Sequence, residues 1–323
     1  MSRRLLCGFL AWVLMGSLAA CAPGRTERPQ APAQPITLKF AALRILDALP
    51  LFVAEKQGYF TQNGIQIEII PVASAPERDQ LIAAGQADGM INEMTSTLFA
   101  NRDQLTVQVV RFARSATADS PVFRILAAKD SGIASLADLQ PAQTGISEGT
   151  IIQYAFERLI EAEGYNAATF GVVNIPAIPE RLKLLGAGKL KAAVLPDPAA
   201  SLAIQQGAIV VIDDSSHPEF GYSTIAFRKA IIDQRPEAIK AFLAAWEKAV
   251  TDINADSSQW KSLLTEQEIL PAPLAEIYTI PAFVAAGVPT ETQFADALAW
   301  AKAKGYLQSD LAYKDCVNAA FLP

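Results

Sequence analysis

The chain repeats itself. Pro76-Glu77-Arg78-Asp79-Gln80-Leu81-Ile82-Ala83-Ala84-Gly85 and Pro179-Glu180-Arg181-Leu182-Lys183-Leu184-Leu185-Gly186-Ala187-Gly188 agree at six of ten positions, at an offset of 103 residues. Upstream of each copy a helical pattern ends in the same dipeptide, Gly58-Tyr59 and Gly164-Tyr165, and downstream of each lies a short apolar strand, Gly89–Asn92 and Ala192–Leu195. A shared order of elements on both sides of the match points to two lobes of one architecture.

Each copy alternates strand and helix. In the first, strands are predicted over Thr37–Leu43, Ile65–Val72, Gly89–Asn92 and Leu105–Arg111. Pro50 opens the first helix and Gly58 closes it, and helices over Glu77–Ala84 and Thr95–Asn101 follow. In the second, Gly145–Ser147 leads into a helix from Thr150 whose Ile152, Ala155, Phe156, Leu159 and Ile160 fall at helical spacing. Strands over Val172–Ile175, Ala192–Leu195 and Ile209–Ile212 then alternate with helices. Such alternation predicts parallel sheets covered by helices on both faces, with a ligand crevice at the carboxyl ends of the strands.

The expected fold class is therefore α/β, two similar doubly wound lobes. Two further strands, Val122–Ala128 and Tyr222–Phe227, read as hinge crossings between them. Lobe one then comprises residues 37–128 and 220–323, and lobe two residues 129–219. After Pro236, Ile239, Phe242, Leu243, Trp246, Val250 and Ile253 mark a long amphipathic helix, and another runs from about Glu291 to a stop at Gly305. Both are expected to support lobe one, and Cys316 to be a buried small hydrophobe.

The amino terminus sets the expected compartment. Arg3 and Arg4 precede an uncharged apolar run, Leu5–Ala20, which is built as a secretory signal and is short for a transmembrane span. It ends in Leu18-Ala19-Ala20-Cys21, which resembles the bacterial lipobox, so residues 1–20 are read as a signal peptide and Cys21 as the acylated first residue of the mature chain. Each buried acyl methylene contributes about 0.8 kcal/mol to membrane attachment. Residues 21–36, rich in Pro and poor in large apolar groups, read as a tether. The expected location is extracytoplasmic, on a bacterial membrane facing the periplasm or the cell surface.

Charge and rare residues narrow the chemistry. Removing Arg3 and Arg4 from 27 basic residues, against 33 acidic ones, leaves a net charge of −8, which argues against nucleic acid. Cys7 leaves with the signal and Cys21 is taken by lipid, so Cys316 is the only thiol left and no internal disulfide forms. One histidine, His217, excludes His-rich metal sites. No metal and no cofactor are expected.

Leu49-Pro50-Leu51-Phe52-Val53-Ala54-Glu55-Lys56-Gln57-Gly58-Tyr59-Phe60 resembles the first helix of periplasmic solute-binding proteins of ABC transporters, in the group that serves nitrate, sulfonates, taurine and thiamine precursors. Ala84-Gly85-Gln86-Ala87-Asp88-Gly89 is similar to that group's turn into its third strand, and Ser131-Gly132-Ile133 with Leu136-Ala137-Asp138-Leu139 also fits. The resemblance covers nearly all of residues 37–323. It implies the type II periplasmic binding fold, two lobes closing on a solute that touches both. It also implies a permease and an ATPase as separate partner chains, a monomeric binding protein and no enzymatic activity.

Candidate solute contacts are the residues at strand ends and first helical turns. In lobe one these are Arg44, Asp47, Asn92, Glu93 and Thr95. In lobe two they are Ser147, Glu148, Gly149 and Thr150, where free backbone N–H groups at a helix start offer donors, with Asp197 after the matching strand and Tyr154 one turn into its helix. Thr150 and Asp197 read equally as helix caps, Tyr154 as core, and Arg78 and Arg181 as surface salt-bridge residues. Four acids against the single base Arg44 favour a neutral or cationic nitrogen compound, such as a heterocycle related to thiamine precursors, or a zwitterion whose acid end meets Arg44. An enzyme on the same fold, with Glu93 and Glu148 as an acid–base pair, and a sensor domain are the alternatives.

Overall fold

Strand-forming runs rich in Ile and Val seed both sheets of the structure, a computed structural model that describes residues 35–323. The signal, Cys21 and the tether up to Gln34 lie outside the described residues. Lobe one is built on β1 (Ile36–Leu43), β2 (Ile65–Val72), β3 (Gly89–Asn92) and β4 (Val107–Ser115). The chain then passes through β5 (Phe123–Ala127) to β6 (Gln143–Ile146), β7 (Gly171–Asn174), β8 (Ala192–Pro196) and β9 (Ile209–Asp213), and ends its strands with β10 (Tyr222–Arg228). The sheet orders are β2-β1-β3-β10-β4 and β7-β6-β8-β5-β9.

The sheets are mixed where the alternation predicted parallel ones. β1, β2 and β3 run parallel, as do β6, β7 and β8, but β10 lies antiparallel between β3 and β4, and β5 antiparallel between β8 and β9. Each expected hinge strand is thus an integral member of a sheet. β5, assigned to lobe one by the sequence, belongs to the sheet of lobe two, so the crossings are the links 116–122 and 214–221. Asp214 ties these links together, accepting the N–H groups of Val122 (2.8 Å) and Phe123 (3.0 Å).

The repeated Gly-Tyr dipeptides have a shared backbone role. Gly58 (φ 69°) and Gly164 (φ 82°) take the left-handed conformation that turns the chain out of a helix, which costs glycine little.

The helix Pro236–Ala255 packs on lobe one as expected. Its Phe242 stacks on Phe40 with ring centres 4.9 Å apart and meets Phe227 edge-on at 5.1 Å. The helix Glu291–Ala303 corrects the expectation, because it holds lobe two as well. Its Asp296 accepts from the Tyr154 hydroxyl (2.6 Å) and from Arg158 Nε (2.8 Å), and Trp300 Nε1 donates to Glu157 (2.7 Å). All three partners lie on the lobe-two helix Ile151–Ala162. Cys316 is fully buried, with Asn101 Nδ2 3.4 Å from its sulfur.

Among the described residues no helix is long and apolar enough to cross a membrane.

Candidate functional site

The carboxyl ends of strands from both sheets meet at one narrow cavity of about 30 Å³. Lobe one contributes Leu43 at the end of β1, Asp47, Glu93 just after β3, and Ser223 on β10. Lobe two contributes Ser147 after β6, Thr150, Pro176 after β7, Arg181 and Pro196 at the end of β8. Ile45, Phe123, Ile151, Ile152 and Ile178 give it apolar walls. Apolar walls with a few converging polar groups are the ordinary form of a small-molecule site.

The charges in this cavity are arranged differently from the expectation. Glu93 receives Arg78 in a two-point pair, with both N···O distances 3.1 Å, and Arg78 also donates to Asp79 (2.9 Å) and to the Ile91 carbonyl (3.0 Å). Burial pushes the Glu93 carboxyl up against the opposing pull of Arg78. Burial by itself would lower the Arg78 guanidinium, but the charges of Asp79 and Glu93 outweigh it and the net direction is upward. Asp47 accepts from the Ser223 hydroxyl and lies 3.7 Å from Arg114 Nη1. Asp197 is held by Arg124 and by the Ser201 hydroxyl (2.8 Å) and lines a separate groove with Tyr278. Three of the four acids counted as repelling an anion are therefore matched with arginines.

The fourth acid and the single base lie outside the cavity. Glu148 is exposed, so Glu93 and Glu148 are not brought together as an acid–base pair. Arg44 is exposed on the rim and pairs with Glu268, which leaves it off the cavity wall.

The helix start at Thr150 is less open than the sequence promised. Asn174 accepts the Glu148 N–H (3.0 Å), Gln153 the Gly149 N–H (2.8 Å), and Thr150 itself caps the Ile152 N–H (3.2 Å) while donating to the Ser147 carbonyl (2.8 Å). Of the eleven predicted contacts, the cavity brings together Asp47, Glu93, Ser147 and Thr150. Asn92 is buried within lobe one, where it bonds Thr97 (2.8 Å) and Thr224 (2.7 Å), and Thr95 is buried outside the cavity lining. Tyr154 points away, edge-on to Trp300 at 5.5 Å.

The residue that sequence reasoning misplaced most is Arg181. Expected at the surface with Arg78, it is fully buried, as Arg78 is, and it lines the cavity. Its signal was already in the repeat, since the position matching Glu93 at the same offset is Pro196. Among the described residues no group of three or more His, Cys, Asp or Glu is placed to hold a metal ion.

Two sheets joined by two crossings around such a cleft define the two-lobed periplasmic-binding fold. The chain belongs to the NMT1/THI5-like family, whose model matches residues 46–259. The solved structures it resembles include the alkanesulfonate-binding protein SsuA from Xanthomonas axonopodis pv. citri bound to MOPS, with 16% identity, TM-score 0.74, and coverage of 88% of this chain and 99% of that one. The periplasmic nitrate-binding protein NrtA from Synechocystis PCC 6803 matches at 15% identity and TM-score 0.67, over 89% of this chain and 87% of that one. The desulfurization enzyme DSZB shares the fold too, at 15% identity and TM-score 0.66, over 88% and 97% of the two chains. At these identities the likeness is one of fold. No curated protein matches the chain by sequence.

Proposed function

We propose that the protein is an extracytoplasmic solute-binding lipoprotein, anchored through Cys21, that captures a small organic molecule in the interlobe cavity and delivers it to an ABC importer. The observation that carries this reading is a cavity where polar groups of both lobes converge at their strand ends. A solute touching both walls binds the closed state more tightly than the open one, and closure is what a permease can recognise. Similarity in fold to an alkanesulfonate-binding protein and a periplasmic nitrate-binding protein supports the class. The protein acts as a monomer and without catalysis. The solute is a nitrogen heterocycle or a zwitterion.

Three measurements test the reading. Native mass spectrometry of the mature domain should reveal a co-purifying small molecule, and adding that molecule back should make the particle more compact by small-angle scattering. Chemical conversion of the bound molecule, with no compaction, would replace the transport reading by an enzyme. Labelled palmitate should appear on the wild type and be lost in Cys21→Ser, together with membrane association.

A further inference from the structure

The duplicated helices carry two arginines in unequal surroundings. In lobe one Arg78 reaches the Ile91 carbonyl and the Glu93 carboxylate. At the offset of 103, Ile91 becomes Val194 and Glu93 becomes Pro196. Arg181 keeps the first contact, donating from Nε to the Val194 carbonyl (3.1 Å), and its Nη1 donates to the carbonyls of Ile175 (2.7 Å) and Pro176 (2.9 Å). Its Nη2 is buried with no hydrogen-bond partner among the described residues. Burial alone acts on this guanidinium, pulling it down to about 10, so it remains charged at neutral pH.

A buried charge without a counter-charge is costly, and buried donors are nearly always satisfied. A second unsatisfied donor sits in the same cavity wall, because the Ser147 hydroxyl also has no partner among the described residues.

We propose that Arg181 and Ser147 hold the acid group of the solute, a sulfonate or carboxylate, in the place where lobe one uses its own Glu93. This rests on the interlobe cavity being the solute site. On the facing wall the Asp47 and Glu93 carboxyl groups already face Arg114 and Arg78, so neither is free to neutralise Arg181. The acid end of the solute then rests on lobe two instead of on Arg44. Pro196 is the specificity device, since an acid there would fill the arginine from within the protein.

The test is calorimetric binding of methanesulfonate, homotaurine and aminopyrimidine to the mature wild type, Arg181→Met, Arg181→Lys and Pro196→Glu, each checked for folding by circular dichroism. Homotaurine should bind the wild type, weaken about a hundredfold in Arg181→Met, as for a truncated buried charge contact, and keep part of its affinity in Arg181→Lys. Pro196→Glu leaves Arg181 in place and should abolish acid binding in a protein that still folds, so it decides the matter even if Arg181→Met does not fold. Equal binding of the acids to all four proteins overturns the proposal. Binding of aminopyrimidine alone overturns it too, while leaving the cavity as the solute site. If no probe binds and nothing co-purifies with the wild type, the cavity is not a solute site and both readings fall.

Discussion

The two lobes share an architecture and surround the arginine of the duplicated helix in opposite ways. In lobe one, arginines find carboxylates: Arg78 pairs with Glu93 and Asp79, and Arg111 with Glu247 of the long carboxyl-terminal helix. In lobe two Arg124 pairs with Asp197, but two single ionisable groups, one at the cavity and one at the exit, are held by backbone. Arg181 donates to three carbonyls, and Asp214 accepts two amide N–H groups. The paired arginine is shifted toward its charged form and the unpaired one away from it. A pair closed within the protein serves rigidity, whereas a lone buried charge leaves interaction energy for something else to collect. On this comparison lobe one is the pre-set wall of the cleft and lobe two the wall that a solute completes.

The largest effect should come from breaking the closed pair. Glu93→Gln leaves the Arg78 guanidinium buried with only Asp79 beside it, and losing one partner of a buried pair costs about 3–5 kcal/mol. Urea denaturation should show this as a lower midpoint at unchanged slope. A loss no larger than that of an exposed ion pair would mean that Asp79 alone satisfies Arg78, and the contrast between the lobes would weaken.

The lone acid at the exit of lobe two gives a second, pH-dependent test. Burial raises the Asp214 carboxyl to about 7, against the opposing pull of the Val122 and Phe123 N–H groups and of Arg114. The native state then keeps a proton that the unfolded chain has already lost above its ordinary value of 3.8. The resulting stability is fully present below that value and disappears as pH rises through the folded value. Its size is on the order of 2–4 kcal/mol. Asp214→Asn should flatten this decline between about pH 4 and pH 7 when urea midpoints are compared. An unchanged slope would show that the two amide donors keep Asp214 ionised, a backbone-held charge like that of Arg181.

Much of this was legible in the sequence, because hydrophobic periodicity is local. Ile65–Val72 and Gly89–Asn92 are strands at the predicted bounds, and Glu291–Ala303 is the predicted last helix. The membership of β5 in the sheet of lobe two was not legible, since strand pairing is decided by partners far along the chain. At the site, the acids were found by their positions at strand ends, but their partners were not. Arg114 and Arg124 lie on or beside strands where nothing local announces an ion pair. Arg78 and Arg181 were misread because a polar residue on an amphipathic helix normally faces water, whereas here the helix starts beside the strand ends and its arginine turns inward. The substitution of Pro196 for Glu93 within the repeat was visible and carried the missing information.

The smallest test exchanges the two helix starts that carry these arginines. In lobe one the helix Ala75–Ala83 is capped by Ser74, whose hydroxyl accepts the Glu77 N–H (3.4 Å), and the Glu77 carboxylate in turn accepts the Ala73 N–H (2.9 Å). In lobe two the helix Ile178–Gly186 begins after Ala177, at the matching position, with no side-chain cap. Ala177 already has the extended backbone of a cap residue (φ −74°, ψ 121°), and Glu180 stands where Glu77 does. Ala177→Ser should therefore add about 0.5–1 kcal/mol and Ser74→Ala remove a similar amount, as is usual for helix caps. The double variant should return close to the wild-type urea midpoint if the two sites are independent. Solute affinity supplies the second readout. Ile178, the first residue of the lobe-two helix, lines the cavity along with Arg181, so a cap that leaves the helix in place should leave affinity alone. If Ala177→Ser stabilises the fold but weakens binding, the uncapped start is part of how lobe two adapts to its solute, and the contrast between a pre-set lobe and a completing lobe extends from charge to backbone.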